Sequence, residues 1–368
     1  MQHKDNNLNL LRLIAALMVL YAHSFSFYGK PTIGFLDLVP YGGLGISIFF
    51  VISGYLIVKS WGFNPSPVNF LMKRSLRIFP ALIVVVLITM FLLGPAFSTL
   101  GVKEYFSHPL FPSYIKNIIL KPVFALPGVL EHSRVPNAVN GSLWSLPVEF
   151  FMYLVVMGLG ILFKGGRLVY AAVTALFAAV VIFWCWRDAP LIVIYGTDIR
   201  EVFLTGIYFM MGACFAKFHL ERWFSLSGVF VLLMVTIFLA PYSSGNSILT
   251  WLTLPYVVLA YGLSRSWLGS LVNKIGDCSY GVYIYAFPVQ QFVLLKYPGI
   301  DYGSYLIVTI LITLALGCCS WHLVEKRILK FKPKDQRRQA ANPLEVKDGA
   351  TSELAESLKS ANSKINVS

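Results

Sequence analysis

The chain has 368 residues, of which 57% are hydrophobic, 15% aromatic and 13% charged, with a formal net charge of +13 and a mean hydropathy of +0.69. A water-soluble domain is roughly a quarter charged because its surface faces water, so this composition excludes a soluble globular protein and leaves lipid as the surrounding medium. The positive excess does not indicate nucleic acid: Lys and Arg cluster in short stretches between apolar runs, a pattern of topology determinants rather than a phosphate-tracking face.

The expected fold is an all-α polytopic membrane protein, a bundle of about ten transmembrane helices, since about 20 apolar residues cross about 30 Å of hydrocarbon. In chain order the qualifying segments are 8–28, 41–58, 76–97, 143–163, 168–186, 200–217, 226–241, 247–264, 279–296 and 303–324. The first lacks a small-x-small cleavage site and is read as a retained membrane helix, not a signal peptide. The second contains Ser53-Gly54 and the fourth opens on Ser-Leu-Trp-Ser, interruptions that bundles tolerate against a cavity or a neighbouring helix. The long loop 98–142, rich in Pro and aromatics, is expected to pack over the bundle. Beyond Phe331 the composition turns to Lys, Gln, Asn, Ser, Glu and Ala, so residues 1–331 are expected to form the membrane domain and 332–368 a disordered cytoplasmic tail. With the N-terminus inside, the inner loops and near tail hold 18 Lys and Arg and the outer loops 8, which predicts both termini in the cytoplasm. Five cysteines without CxxC or His spacing indicate neither a metal site nor a disulfide framework.

Charged groups inside spans are costly and point to function. Arg12 and His23 lie eleven residues apart in the first segment, about 16 Å along a helix axis and close to three full turns, so both face one side. Read singly, they are a snorkelling arginine and a satisfied buried histidine; their shared face favours a functional pair. Glu149 in the fourth segment reaches a depth similar to His23, where its carboxylate could accept one imidazole proton and leave the other nitrogen as a base. Lys73, Arg74 and Arg77 start the third segment on the inner side. Such a cluster is either an inside anchor or a phosphate site, and Arg12 at the same depth makes a pocket of three guanidinium groups. Phosphates held there, with a His/Glu pair about 16 Å further along, call for a long, thin ligand, and coenzyme A thioesters have that shape.

Five stretches resemble the acyltransferase-3 family of membrane acyltransferases. They are Asn9-Leu10-Leu11-Arg12 through Tyr21-Ala22-His23, Phe49-Phe50-Val51-Ile52-Ser53-Gly54-Tyr55, Lys73-Arg74-Ser75-Leu76-Arg77-Ile78-Phe79-Pro80, Leu143-Trp144-Ser145-Leu146-Pro147-Val148-Glu149 and Ser279-Tyr280-Gly281-Val282-Tyr283. The resemblance implies transfer of an acyl group, often acetyl, from cytoplasmic acyl-CoA to a hydroxyl of a cell-surface or exported polysaccharide or its lipid-linked precursor. It implies His23 and Glu149 as catalytic residues, and Arg12, Arg74, Arg77 and Lys73 as donor-binding residues. Ser53, Trp144 and Ser145 are implied at the substrate. The expected co-substrate is acetyl-CoA, with no metal. The expected partners are membrane lipid, a carbohydrate acceptor and polysaccharide-assembly proteins, and no nucleic acid. The expected location is the inner membrane of a bacterium. Two departures stand out: Ala286 occupies a place where many relatives carry histidine, which excludes a second histidine there, and no hydrolase-like domain is fused. A transporter of a polysaccharide precursor or small anion would also use intramembrane charges, but many transporters carry two related halves and none is evident; a scaffold would leave the His/Glu alignment unexplained.

Overall fold

The computed structural model of the chain describes residues 6–187, 190–242 and 248–333. The tail expected to be disordered lies, from residue 334 onward, outside the described residues. All ten expected segments fold as helices. They are α1 (Leu8–Tyr28), α2 (Tyr41–Phe63), α3 (Pro67–Phe97), α4 (Gly141–Leu162), α5 (Arg167–Arg187), α6 (Ile199–Phe218), α7 (Leu226–Tyr242) and α8 (Ile248–Leu263). After them come a short helix outside the ten apolar segments, α9 (Trp267–Ile275), then α10 (Ser279–Lys296) and α11 (Tyr302–Phe331).

Seven of the described helices, α1 to α6 and α11, are long and apolar enough to cross a membrane, whereas α7 and α8 are shorter apolar helices. Helix α10 differs for a physical reason: it carries three tyrosines and two glutamines, and it is buried almost continuously from Ser279 to Val293. It is the central post of the bundle, shielded by protein rather than lipid. The end at which α1 begins is termed proximal, and the end at which it finishes distal.

Helices α2 and α6 make the closest contact in the bundle. A Cβ on Gly54 would lie 1.9 Å from the Phe209 carbonyl oxygen, and one on Gly212 would lie 2.2 Å from that of Val51. Only glycine permits this approach, as at small-residue interfaces of membrane helices. Locking Gly54 against α6 turns its neighbour Ser53 towards α4. Helix α3 contains Pro80 and a π-helical turn at Thr89–Leu93, and α11 contains another at Trp321–Glu325; such turns shift side-chain register within a helix and are frequent at functional sites.

Between α3 and α4 the loop packs over the distal end, as expected. Its Tyr105 hydroxyl, fully buried, donates to the Met90 carbonyl at 2.9 Å, and Asn140 donates to the Ile284 carbonyl at 2.9 Å. At the proximal end buried Asn7 ties α1 to α8 and α9, donating to the Tyr261 carbonyl and accepting from Ser266.

Candidate active site

A cavity of about 500 Å³ opens at the proximal end and runs into the bundle. Its charged wall comes from α1, α3 and the turn between α9 and α10. Asn9 donates to Asn273 at 2.9 Å, and one turn further along α1 Arg12 pairs with Asp277 at 3.3 Å. Arg77 of α3 meets the same Asp277 oxygen at 2.6 Å and Glu325 at 3.1 Å. The guanidinium also lies over the rings of Tyr280 and Trp321, each about 6 Å away.

Burial alone would raise the pKa of Asp277, but Arg77, Arg12 and the Ser279 hydroxyl outweigh it and hold the carboxyl below its ordinary value. Gly276, which precedes it, has φ +115° and is packed under the Trp321 indole, a backbone conformation open to glycine. The turn that aims Asp277 at two arginines therefore depends on that residue.

Arg74 is different. Among the described residues no carboxylate lies within ion-pair distance of it. Its Nη2 donates to Ser60 Oγ at 3.4 Å, and its Nε is buried without a partner. An unsatisfied buried donor costs about 1–3 kcal/mol, so the cavity holds an arginine poised for an anion that the fold does not provide. Lys73 also lines the cavity, and Lys332 closes its rim. Its side chain is exposed overall, yet crowding of the ammonium at the cavity mouth, with Arg77 and Arg74 nearby, pushes Lys332 down to about 8.

Further in, Ser53 and Tyr153 both donate to Glu149 Oε1, at 2.9 and 2.5 Å. Ser145 Oγ shares a 2.5 Å hydrogen bond with the Tyr283 hydroxyl, which donates to the Ser142 carbonyl. These groups line the same cavity as the arginines.

His23 does not. Its ring packs edge-on against Phe287, with centroids 5.0 Å apart, and near Phe27 at 6.3 Å; its Nδ1 is buried with no hydrogen-bond partner. The expected hydrogen bond between Glu149 and His23 is not formed. The carboxylate instead accepts from Tyr153, one turn along α4, and from Ser53, fixed by the α2–α6 contact. Trp144 is half-buried against the hydrophobic core and does not line the cavity.

Thus Arg12, Lys73, Arg74, Arg77, Ser53, Ser145 and Glu149 share one cavity, while His23, packed against Phe27 and Phe287, and Trp144 lie outside it. The sequence reading missed Asp277, Glu325 and Tyr153. A signal existed for the two acids, because closely spaced buried arginines require compensating carboxylates, and few acidic residues adjoin the apolar segments on that side.

Residues 5–324 match the family described as an acyltransferase domain. The chain is 32% identical to a protein named O-acetyl transferase from Shigella phage Sf6, over 90% of this chain and 98% of that protein. It is also 29% identical to Nodulation protein 10 of Rhizobium leguminosarum bv. viciae, over 89% of this chain and 94% of that protein. No solved structure matches it significantly. A family match across nearly all of the helical bundle, on a chain whose arginine-walled cavity draws lining residues from all five stretches quoted above, identifies this multi-pass protein as a membrane acyltransferase of the acyltransferase-3 family.

Proposed function

We propose that the chain transfers an acetyl group from acetyl-CoA to a hydroxyl of a carbohydrate, with the donor phosphates at the proximal end of the cavity. The observation that carries this reading is the uncompensated guanidinium of Arg74 inside a cavity whose other arginines are already paired. A guanidinium fork suits phosphate oxygens in bidentate geometry. The pantetheine arm then runs past Glu149 and Ser145 towards His23, and Arg12 and His23 stand about 16 Å apart along α1. The relative named O-acetyl transferase supports acetyl as the group moved.

In the transfer, a His23 ring nitrogen takes the proton of the acceptor hydroxyl as that oxygen attacks the thioester carbonyl carbon. The C–S bond breaks, and the departing thiolate recovers the proton from the imidazolium. A neutral imidazole offers one acceptor nitrogen for this role. Glu149 does not orient this imidazole; it accepts from Ser53 and Tyr153 and holds both along the cavity. The test is incorporation of radiolabelled acetyl from acetyl-CoA into the glycan of membranes from the native strain, against membranes of a deletion strain. Label in wild-type glycan and none in the deletion is expected; equal label would overturn the reading.

Ten crossings with both termini in the cytoplasm put the donor on the cytoplasmic side of a bacterial inner membrane. Gly62 near the end of α2 and Gly299 between α10 and α11 have open space where a Cβ would stand. In intact cells Gly299→Cys should react with an impermeant maleimide and Gly62→Cys should not. The reverse pattern would invert the orientation.

Lys332 gives donor binding a pH dependence. Its folded pKa is lowered to about 8, so its positive charge is present below pH 8 and lost above it. Acetyl-CoA affinity should weaken about twofold between pH 7 and 9.5, a small effect because the Lys332 side chain is exposed and its charge is screened by solvent. A Lys332→Gln protein should bind more weakly at pH 7 and show a flat profile, which titration calorimetry at several pH values would read.

A further inference from the structure

A second cavity of about 500 Å³ lies between α3, α10 and α11 and shares no lining residue with the donor cavity. It opens sideways, through the exposed side chains of Ile312, Leu316 and Leu323. Helix α3 is fastened to α10 at two levels. Tyr280 donates to the Ile78 carbonyl at 2.9 Å on the proximal side, and Phe97 meets Phe292 on the distal side, with ring centroids 4.6 Å apart. Between these contacts the two helices part, and the gap is a groove walled mainly by Val, Leu, Ile and Phe. We infer that this groove holds one acyl chain of an anionic phospholipid, its phosphate at Lys296, and that the bound lipid steadies the α11 turn on which Arg77 depends. The second half rests on the donor site proposed above.

Shape selects a single chain. Lining residues span 84–97 of α3, 285–296 of α10 and 312–324 of α11, about 16–20 Å along each helix. A protein helix about 10 Å wide would need on the order of 1,400 Å³ over that length, nearly three times what the groove offers. A slot this long and narrow fits a hydrocarbon chain, and a sideways opening at membrane depth admits one from the bilayer.

Charge selects the head. Lys296 ends α10 at the distal mouth and is the one charged residue lining the groove, and among the described residues no carboxylate pairs with it. Tyr297 beside it is exposed, the kind of side chain that settles at the headgroup level, while a lysine stem lies along apolar surface with its ammonium in the polar layer. A phosphodiester with an uncharged head carries one net negative charge, which matches one ammonium. A zwitterionic head would bring a second ammonium against Lys296, and a polyprenyl pyrophosphate would bring more negative charge than one lysine answers.

One turn of α11 serves both cavities. Ser320, Leu323 and Val324 line the groove, whereas Trp321 lines the donor cavity and Glu325 pairs with Arg77 at 3.1 Å. Ser320 donates to Glu325 at 3.1 Å, and the Arg77 guanidinium lies over the Trp321 ring. Residues 321–325 form the π-helical turn, a rare register that packing on both faces must hold. A chain against Leu323 and Val324 supplies that packing on the groove face, and so keeps Glu325 and Trp321 on Arg77.

The test uses full-length protein released from nanodiscs of equal parts phosphatidylglycerol and phosphatidylcholine, with native mass spectrometry counting retained lipid. Wild type should keep one phosphatidylglycerol per chain, about fivefold in preference to phosphatidylcholine. Lys296→Gln should lose the preference. Leu316 is 38% exposed, so Leu316→Trp fills the groove without opening the core and should retain neither lipid. Equal retention of both lipids by wild type, or unchanged retention in Leu316→Trp, would overturn the site. Displacement of phosphatidylglycerol by an added polyprenyl phosphate would overturn it too, by making the groove a carrier-lipid site. Adding phosphatidylglycerol to detergent-purified wild type should tighten acetyl-CoA binding about fivefold, with no response in Leu316→Trp. Retained lipid without that change would overturn the coupling. Wild type that binds no acetyl-CoA would overturn the donor reading and the coupling together, whereas the lipid count involves no donor and judges the groove by itself.

Discussion

His23→Ala is expected to lower acetyl transfer by about 10²- to 10⁴-fold, the range supplied by a positioned general base, with acetyl-CoA affinity unchanged. The imidazole has no hydrogen-bond partner at Nδ1 and does not line the donor cavity, so its loss removes no donor contact. Removing a buried nitrogen that the fold leaves unsatisfied also relieves a cost, and the variant should insert and express normally. The vacated space next to Phe27 and Phe287 argues for a second substitution. His23→Gln keeps most of the volume and hydrogen-bonding capacity but cannot take up a proton near neutral pH; it should be as inactive as the alanine protein. Single-turnover transfer measured beside equilibrium donor binding reads both quantities. Substantial turnover in a well-folded His23→Gln protein would remove the histidine from catalysis.

Arg74→Ala is expected to raise the acetyl-CoA dissociation constant about 10- to 150-fold. Charge-assisted hydrogen bonds are worth roughly 1.5–3 kcal/mol, and each 1.4 kcal/mol is a factor of about ten. The choice of Arg74 over its neighbours follows from the ion pairs. Arg77 holds both Asp277 and Glu325, so truncating it strands the buried Glu325 and leaves Asp277 with Arg12 alone, a change that costs about 3–5 kcal/mol at buried pairs and confounds binding with folding. Arg12 shares Asp277 with it. Arg74 has no such obligation, and its removal tests the anion site alone. Arg74→Lys should recover part of the affinity, because an ammonium supplies charge without the bidentate fork. Titration of detergent-purified variants with acetyl-CoA checks the series. Wild-type affinity in Arg74→Ala would reduce the basic cluster to a topology anchor.

Much of this was written in the sequence because a bilayer imposes strict rules. Apolar length marks the helices, and all ten expected segments are helical. Intramembrane charge is costly enough that Arg12, Arg74, Arg77 and Glu149 stood out as candidates, and they do share a cavity. Helical periodicity also put Arg12 and His23 on one side of α1. Tertiary structure alone decided the pairings. Depth along the membrane normal says nothing about which helices are neighbours, so Glu149 was assigned to His23 when Ser53 and Tyr153 were nearer. Asp277 was not among the candidates, because only folding brings α1 and α3 against it. Glu325 meets Arg77 from a π-helical turn whose register shift no 3.6-residue pattern anticipates. Partner choice in a bundle is set by close packing at glycines such as Gly54 and Gly212, and that contact between distant segments leaves no periodic trace in either helix.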